Sequence, residues 1–334
     1  MNNLSAVITR SGGLDVLSLV EGKVPQPARG QVRLAVRTVG VAFTDIYLRR
    51  GIVPNAPRPP VVPGFDVIGV VDAIGPSVRG VSLGDRVAAI IERGGCARFV
   101  CVDASRVVSV PAGVSDEAAV AVLLNYVTAL QILVRVSRVK AGQSVFVHAL
   151  AGGIGTAVLD LGRLLGLRVF GTASAGKHDF VRSLHGTAFD YRSGDFVASA
   201  RAAVPEGFSV VMDGIGGRGL CQSHSLVCDG GTLAAFGFQS ATSNSRFAAM
   251  PTLARAGWLA LSPRCRTRFY AIMPFNRSRL AWLRSDMEFV LERLASGELA
   301  PVIAGVLPLV EIARAQRLLE QGEVRGKLVL RVCS

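Results

Sequence analysis

An α/β fold of two units, a partly open β-barrel and a doubly wound parallel sheet, is what this 334-residue chain predicts. Three observations carry it. The length exceeds what one hydrophobic core ordinarily fills, so two domains are the default. The N-terminal third holds short, closely spaced apolar runs broken by glycine and proline, the pattern of a compact barrel. From Ser115 onward strand-type and helix-type stretches alternate, which builds a parallel sheet with helices on its faces.

In the first unit Val32–Val36 alternates around polar positions, Val67–Val71 is a continuous apolar strand, and Arg86–Ile91 and Phe99–Val102 follow. Pro54, Pro57, Pro59, Pro60 and Pro63 make one stiff loop before Gly64. Asp116–Val136 has a helical pattern. Its apolar run, Ala118–Val134, is interrupted by Asn125, Tyr126, Thr128 and Gln131 and is shorter than a bilayer span, so a buried helix is expected. Strands at 144–148, 168–172, 208–213 and 231–237 then alternate with helices at 154–166, 177–185, 195–203 and 218–227. Beyond 260 the alternation breaks. A strand at 268–273, a helix Asn276–Ala295, a short strand near Val306, a helix Val310–Glu320 and a final strand Lys327–Val332 are expected to return to the first unit. The expected division is therefore 1–120 with 262–334 against 121–261.

Half of the residues are hydrophobic and 18% are charged, which excludes a disordered chain. The N-terminus begins a strand and lacks a charged stretch followed by an apolar one, so a cytoplasmic protein is expected. Six scattered cysteines include no Cys-x-x-Cys pair, and neither a zinc cage, a redox dithiol nor a disulfide is expected. The net charge of +13 favours anionic partners: nucleotide cofactors, coenzyme A or phosphopantetheine thioesters, acidic carrier proteins, or nucleic acid. Its arginines are spread from Arg29 to Arg331 without zinc-finger spacing or aromatic RNA-binding motifs, which makes nucleic acid the weakest of these and leaves a solvated basic surface as the plain alternative.

The residues with most chemistry lie at 144–174. An apolar strand, a glycine turn, an amphipathic helix and a second strand follow one another there. Gly152, Gly153 and Gly155, with Ile154 between them, let the backbone approach a pyrophosphate at a helix N-terminus, where free N–H groups and the helix dipole favour an anion. Leu150 stands where the strict fingerprint has its first glycine. An NAD site usually carries Asp or Glu about 20 residues on, to accept from the ribose 2′-hydroxyl. Here the second strand ends in Thr172-Ala173-Ser174, followed by Lys177. A missing carboxylate and a nearby cation suit a 2′-phosphate, hence NADPH.

With these motifs in order, the chain resembles the medium-chain dehydrogenase/reductases along nearly its full length. Within them it is most similar to the zinc-free quinone oxidoreductase and zeta-crystallin branch, closest to vesicle amine transport protein homologues. The resemblance rests on Val62-Pro63-Gly64-Phe65-Asp66-Val67-Ile68-Gly69-Val70-Val71, Gly84-Asp85-Arg86-Val87, Asn125-Tyr126-Val127-Thr128-Ala129, the glycine turn, Phe170-Gly171-Thr172-Ala173-Ser174 and Gly326-Lys327-Leu328-Val329-Leu330. It implies a GroES-like first domain and a Rossmann second one. Zinc-dependent relatives carry an early Cys and a His-Glu pair after the glycine matching Gly64. This chain has Phe65-Asp66 there and no Cys in Val41–Asp45, so no metal is expected.

The same resemblance places the nicotinamide amide near Thr128 and the 2′-phosphate at Ser174, Lys177 and Tyr191. It adds Phe236, Gly237 and Lys327 to the cofactor contacts. Each has a bland alternative: a helix-bending threonine, a solvated first-turn lysine, a tyrosine capping the core. Quinone oxidoreductases carry Asn-x-x-Asp-x-Tyr in the loop facing the nicotinamide. Here the loop reads Ala42-Phe43-Thr44-Asp45-Ile46-Tyr47, so an amide able to bind a carbonyl oxygen is lost. Tyr47 either protonates or hydrogen-bonds an enolate, or only packs at the pocket rim. Asp45 orients Tyr47, pairs with Arg49 or touches substrate. His148, at the end of the first Rossmann strand, reads as a satisfied core histidine. The expected activity is NADPH-dependent reduction of an enone, enoyl thioester or quinone, in a homodimer paired through Arg268–Met273. The alternative is a zeta-crystallin-type NADPH-binding protein with little turnover and a regulatory or RNA-binding role.

Overall fold

The computed structural model describes residues 2–52, 57–192, 195–241, 244–245, 247–272 and 277–332. Its strands are β1 (Asn3–Ile8), β2 (Leu17–Gly22), β3 (Gln31–Val41), β4 (Asp66–Ile74), β5 (Arg86–Ile90), β6 (Phe99–Asp103), β7 (Val107–Ser109), β8 (Ser144–Val147), β9 (Arg168–Thr172), β10 (Thr187–Phe189), β11 (Phe208–Asp213), β12 (Val227–Ala235), β13 (Arg266–Phe269), β14 (Ile303–Pro308) and β15 (Lys327–Arg331). Two compact units result: Met1–Val127 with Met273–Ser334, and Thr128–Ile272.

The first unit is built around β3. Its 11 residues are long enough to serve three partners, β6 along Gln31–Ala35, β15 along Thr38–Val41, and β4 along most of its length. Register shifts between Arg33 and Leu34 and between Val36 and Thr38 bend the strand where its partners change. The seven-stranded sheet, ordered β14-β15-β3-β4-β5-β7 with β6 on β3, thereby curls into the expected open barrel. Val32, Leu34, Val36, Val39 and Val41 point alternately into a core shared with Val67, Val71, Leu328, Ile312 and Leu319.

The second unit is a six-stranded, wholly parallel sheet in the order β10-β9-β8-β11-β12-β13. The order reverses between β8 and β11, and such a switch point is where doubly wound sheets bind ligands, beyond the carboxyl ends of the strands. Phe146 sits at the centre of one face, with the rings of Phe189, Phe196 and Phe208 within 6.3 Å of it. Asp116–Val136 is helical as expected and mostly buried. It breaks at Leu123, where Leu124 N–H donates to Asp66 Oδ2 at 3.4 Å, and it ends in a wide π turn at Gln131–Val136.

Several expectations need correction. The boundaries fall at 127/128 and 272/273, because β13 extends the parallel sheet instead of returning to the barrel. The helix Met250–Leu259 supplies the crossover that makes this possible. The strand placed at 268–273 lies at Arg266–Phe269; Met273, Asn276 and Pro54 fall outside the described residues. The short strand β10 carries no clear period-2 signal of its own and exists because β9 templates it. Residues Phe43–Arg50, read as a loop, form a helix, closed by Gly51 in the left-handed region at φ 69°.

Candidate functional site

Beyond Val147 the backbone leaves β8 through Ala149, a non-glycine residue at φ 57°. Leu150 N–H reaches across to Thr172 O at 2.8 Å, which folds the turn over β9. Gly152 then caps the helix Gly153–Leu164. The first amide to find an intrahelical partner is that of Thr156, bonded to Gly152 O at 2.8 Å, so the amides of Gly153, Ile154 and Gly155 precede the ladder. Those three N–H groups and the positive helix end form an anion cradle. Gly155 is indispensable for another reason: a Cβ there would fall on the backbone of Leu150, so helix and turn could not pack. Leu150, in the place of a first glycine, has its side chain fully buried beneath the turn.

The neighbouring strands end in polar and basic residues. Ser174 follows β9, its carbonyl accepting from Lys177 N–H at 2.8 Å, and no carboxylate stands at that strand end. Tyr191 follows β10, the next strand out, and is half exposed. Arg192 donates from Nε to the Tyr191 hydroxyl at 3.2 Å and lies 5.4 Å from the ring centroid. Arg192 is a site candidate that sequence reading missed. Its signal was a second cation after the strand beside β9, visible only once β10 is known to be a strand.

On the other side of the switch point, Phe236 N–H donates to Asp213 O at 2.9 Å. Gly237 lies so close to the Gly214 carbonyl that any side chain would collide with it. Both residues follow the carboxyl end of β12. Thr128 is buried within the helix Leu124–Leu130.

A continuous hydrogen-bond chain crosses the switch point. Ala149 N–H donates to Thr172 Oγ1 at 3.2 Å, and Thr172 Oγ1 lies 3.3 Å from His148 Nδ1. His148 Nε2 lies 2.8 Å from Ser223 Oγ, which donates to Asp213 Oδ2 at 2.6 Å. Asp213 Oδ1 accepts from Ile215 N–H and Gly216 N–H, each at 2.8 Å. Burial pushes the His148 imidazole below its ordinary pKa, against a smaller upward pull from Asp213.

The expected catalytic pair lies in the barrel unit. Tyr47 is buried in the helix Phe43–Arg50, its ring centroid 6.1 Å from that of Phe43. Asp45 neither orients Tyr47 nor pairs with Arg49. Its Oδ2 accepts from Ala42 N–H and its Oδ1 from Gly64 N–H, both at 2.8 Å, so it caps its own helix and pins it to the Gly64 turn. Burial raises its carboxyl to about 7, although both amides favour the ionised form. Arg49 instead reaches Gln316 Oε1 at 2.7 Å, Gly12 O at 2.9 Å and Glu320 Oε1 at 2.7 Å. Lys327, expected among the cofactor contacts, makes a buried ion pair through its Nζ with Asp66 Oδ2 at 2.9 Å.

Comparison with known proteins fits this geometry. Residues 28–112 match the pattern described as alcohol dehydrogenase GroES-like domain, and residues 185–330 the one described as zinc-binding dehydrogenase. The human synaptic vesicle membrane protein VAT-1 homolog-like is 30% identical over 98% of this chain and 80% of its own length. The chain belongs to the medium-chain dehydrogenase/reductases. The structure of the quinone oxidoreductase from Coxiella burnetii is 25% identical, with a TM-score of 0.84 over the whole of both chains. The structure of mycobacterial Rv1454c complexed with NADPH is 30% identical, with a TM-score of 0.85 over 98% of this chain and 99% of that one. The Streptomyces orinoci spectinabilin polyketide synthase system protein NorB is 33% identical over 97% of this chain, which spans 14% of that protein.

The family description raises zinc, and the residues do not fit it. At the medium-chain dehydrogenase/reductase metal position Phe65 offers no donor atom, both Asp45 oxygens hold amides, and Asp66 holds Lys327. Burial, with Asp45 and Asp66 nearby, pushes the adjacent Cys96 thiol well above its ordinary range. Among the described residues no three His, Cys, Asp or Glu side chains gather as a metal site would require.

Proposed function

We propose that the chain is an NADPH-dependent, zinc-independent reductase of activated double bonds, acting on an enone, an enoyl thioester or a quinone. The observation that carries this reading is the anion cradle at Gly153–Gly155 together with Ser174, Lys177, Tyr191 and Arg192 after the two adjacent strands β9 and β10. The end of β9 lacks the carboxylate that would repel a 2′-phosphate, and two cations that would attract one follow the two strands. The NADPH complex of the 30% identical mycobacterial relative supports the same cofactor.

NADPH, when bound, would supply the hydride for the β-carbon of the acceptor. The Gly153, Ile154 and Gly155 amides would hold the pyrophosphate, Lys177 and Arg192 would select the 2′-phosphate, and Phe236, Gly237 and Thr128 would receive the nicotinamide end. A general acid, water or a hydroxyl such as that of Tyr47, would supply the α-carbon proton that completes the reduction. Ala42 supplies no side-chain amide for a small quinone carbonyl, which favours a bulkier acceptor. The polyketide synthase relative and the basic surface favour an acyl thioester on coenzyme A or on an acidic carrier protein. A cytoplasmic homodimer is part of this reading, with the sheet edge at β13 as the pairing strand.

Steady-state NADPH oxidation with free enones, quinones, and coenzyme A- or carrier-bound enoyl thioesters tests the proposal. Turnover of an enoyl thioester above the free enone is expected. Tight NADPH binding without consumption by any acceptor would overturn the reductase reading in favour of a nucleotide-binding role.

A further inference from the structure

The chain of hydrogen bonds at the switch point has a direction that fixes the state of His148. Ser223 has one hydroxyl hydrogen and donates it to Asp213 Oδ2 at 2.6 Å, the shortest bond of the series. Ser223 Oγ is therefore the acceptor in its contact with His148, and Nε2 carries the hydrogen. Nδ1 is left as an acceptor, which matches Thr172 Oγ1: that hydroxyl already accepts from Ala149 N–H and has its hydrogen to give. Every donor in the series meets one acceptor. The neutral Nε2–H imidazole is the form that satisfies it; the Nδ1–H tautomer would face Ser223 with a bare nitrogen, and imidazolium would set an Nδ1–H against Thr172 Oγ1 and leave that hydroxyl's own hydrogen without an acceptor in the series.

The two ends of the series are what matter for ligand binding. One end is Ala149, the residue at φ 57° that starts the turn leading to the Gly153–Gly155 cradle. The other is Asp213, whose Oδ1 holds Ile215 and Gly216 N–H after β11. Asp213 and Ser223 are fully buried, and His148 is nearly so. The imidazole is fixed laterally by the edges of Phe146 and Phe196, 5.3 and 5.8 Å between centroids. The charged group facing it is Asp213, at 4.0 Å from Nε2.

We infer that His148 is a positioning residue that, as the neutral Nε2–H tautomer, locks the phosphate-binding turn to the Asp213–Gly217 loop across the sheet switch point. Its ring nitrogens are engaged by Thr172 and Ser223, so it acts through them. The inference rests on the reading that this turn holds the NADPH pyrophosphate. Thr172, His148, Ser223 and Asp213 then act together, holding the two loops in the arrangement the cofactor needs before it arrives.

The test uses the full-length protein and NADPH. Titration of cofactor fluorescence at pH 8 with the unaltered protein settles whether NADPH binds at all; failure there overturns the cofactor reading, and this inference with it. Given binding, His148→Leu keeps the volume and removes both hydrogen bonds, and is expected to raise Kd for NADPH about tenfold, ~1.4 kcal/mol. Ser223→Ala is expected to weaken binding by a similar factor. The His148→Leu/Ser223→Ala pair should fall far short of the product of the two, since both cut the same chain. His148→Gln can donate to Ser223 and accept from Thr172, and should recover most of the affinity. Nitrogen-15 NMR of the imidazole should show Nε2 protonated and Nδ1 bare, unchanged on lowering the pH from 8 through 6.5. An Nδ1–H tautomer, ordinary titration near pH 6.5, unchanged affinity in folded His148→Leu, or full multiplicativity of the two changes would each overturn the inference. Should His148→Leu fail to fold, the NMR signature and Ser223→Ala decide it.

Discussion

Replacing Lys327 by Met separates two roles for that residue. The ammonium lies 2.9 Å from Asp66 Oδ2, and the two side chains are 3% and 0% exposed. At an effective dielectric constant of about 20, two unit charges at that distance attract by roughly 6 kcal/mol before the cost of burying them. In Lys327→Met the attraction disappears while Asp66 stays buried. Its Oδ2 then keeps only the long bond from Leu124 N–H at 3.4 Å, and its Oδ1 has no partner. Breaking a buried pair from one side in this way costs about 3–5 kcal/mol. Adding Asp66→Asn removes the stranded charge, so the double variant is expected to be more stable than Lys327→Met by roughly 2 kcal/mol or more. Urea unfolding followed by tryptophan fluorescence and far-ultraviolet dichroism, at pH 7 without cofactor, measures all four members of the cycle. A loss below about 1 kcal/mol in Lys327→Met, or full additivity of the two changes, would refute the buried-pair assignment. Unchanged stability with a raised KM for NADPH would return Lys327 to the cofactor.

Three further outcomes follow from the geometry. Lys177→Ala is expected to raise KM for NADPH by about 10- to 100-fold, the worth of one charge-assisted hydrogen bond, and to leave KM for NADH nearly unchanged; an unaltered preference in steady-state assays would misplace the 2′-phosphate. Gly155→Ala forces a methyl group onto the Leu150 backbone and should cost about 1–3 kcal/mol in a denaturant titration together with cofactor affinity. Asp45→Asn should change how stability varies with pH. The Asp45 carboxyl is raised from 3.8 to about 7 in the folded protein, so between those values the unfolded chain has lost a proton that the folded one retains, and stability falls as pH rises across that window. The asparagine variant should lose that slope between pH 4 and 7, and should be less stable by about 1–3 kcal/mol because its single carbonyl oxygen can serve only one of the Ala42 and Gly64 amides; an unchanged slope would show that Asp45 does not titrate there.

Much of the cofactor side was legible in the sequence because its parts are local. A strand, a glycine turn, a helix and the end of the next strand occupy 144–174, and period, glycine spacing and the missing carboxylate all lie within that span. Arg192 escaped because β10 is three residues long and gains its strand character from pairing with β9. Phe43–Arg50 read as a loop because its helix cap is an alanine; the capping carboxylate stands inside the helix, at Asp45, and its second oxygen accepts from a turn 19 residues away. The domain boundary near 262 was misplaced because β13 carries Arg266 and Arg268 and does not look like a parallel core strand. It is an edge strand, so its side chains are largely solvated.

The sequence alone therefore determined the class of fold, the order of its elements and the phosphate-binding turn, all of which follow from short-range periodicity and backbone stereochemistry. Only the tertiary structure decided what the charged side chains do. Asp66 and Lys327 stand 261 residues apart, Arg49 and Gln316 267, and His148 and Ser223 75. Whether such a group is an acid, a ligand or half of a buried pair depends on its desolvation and on which partner the fold brings within hydrogen-bond reach. No local pattern encodes that partner.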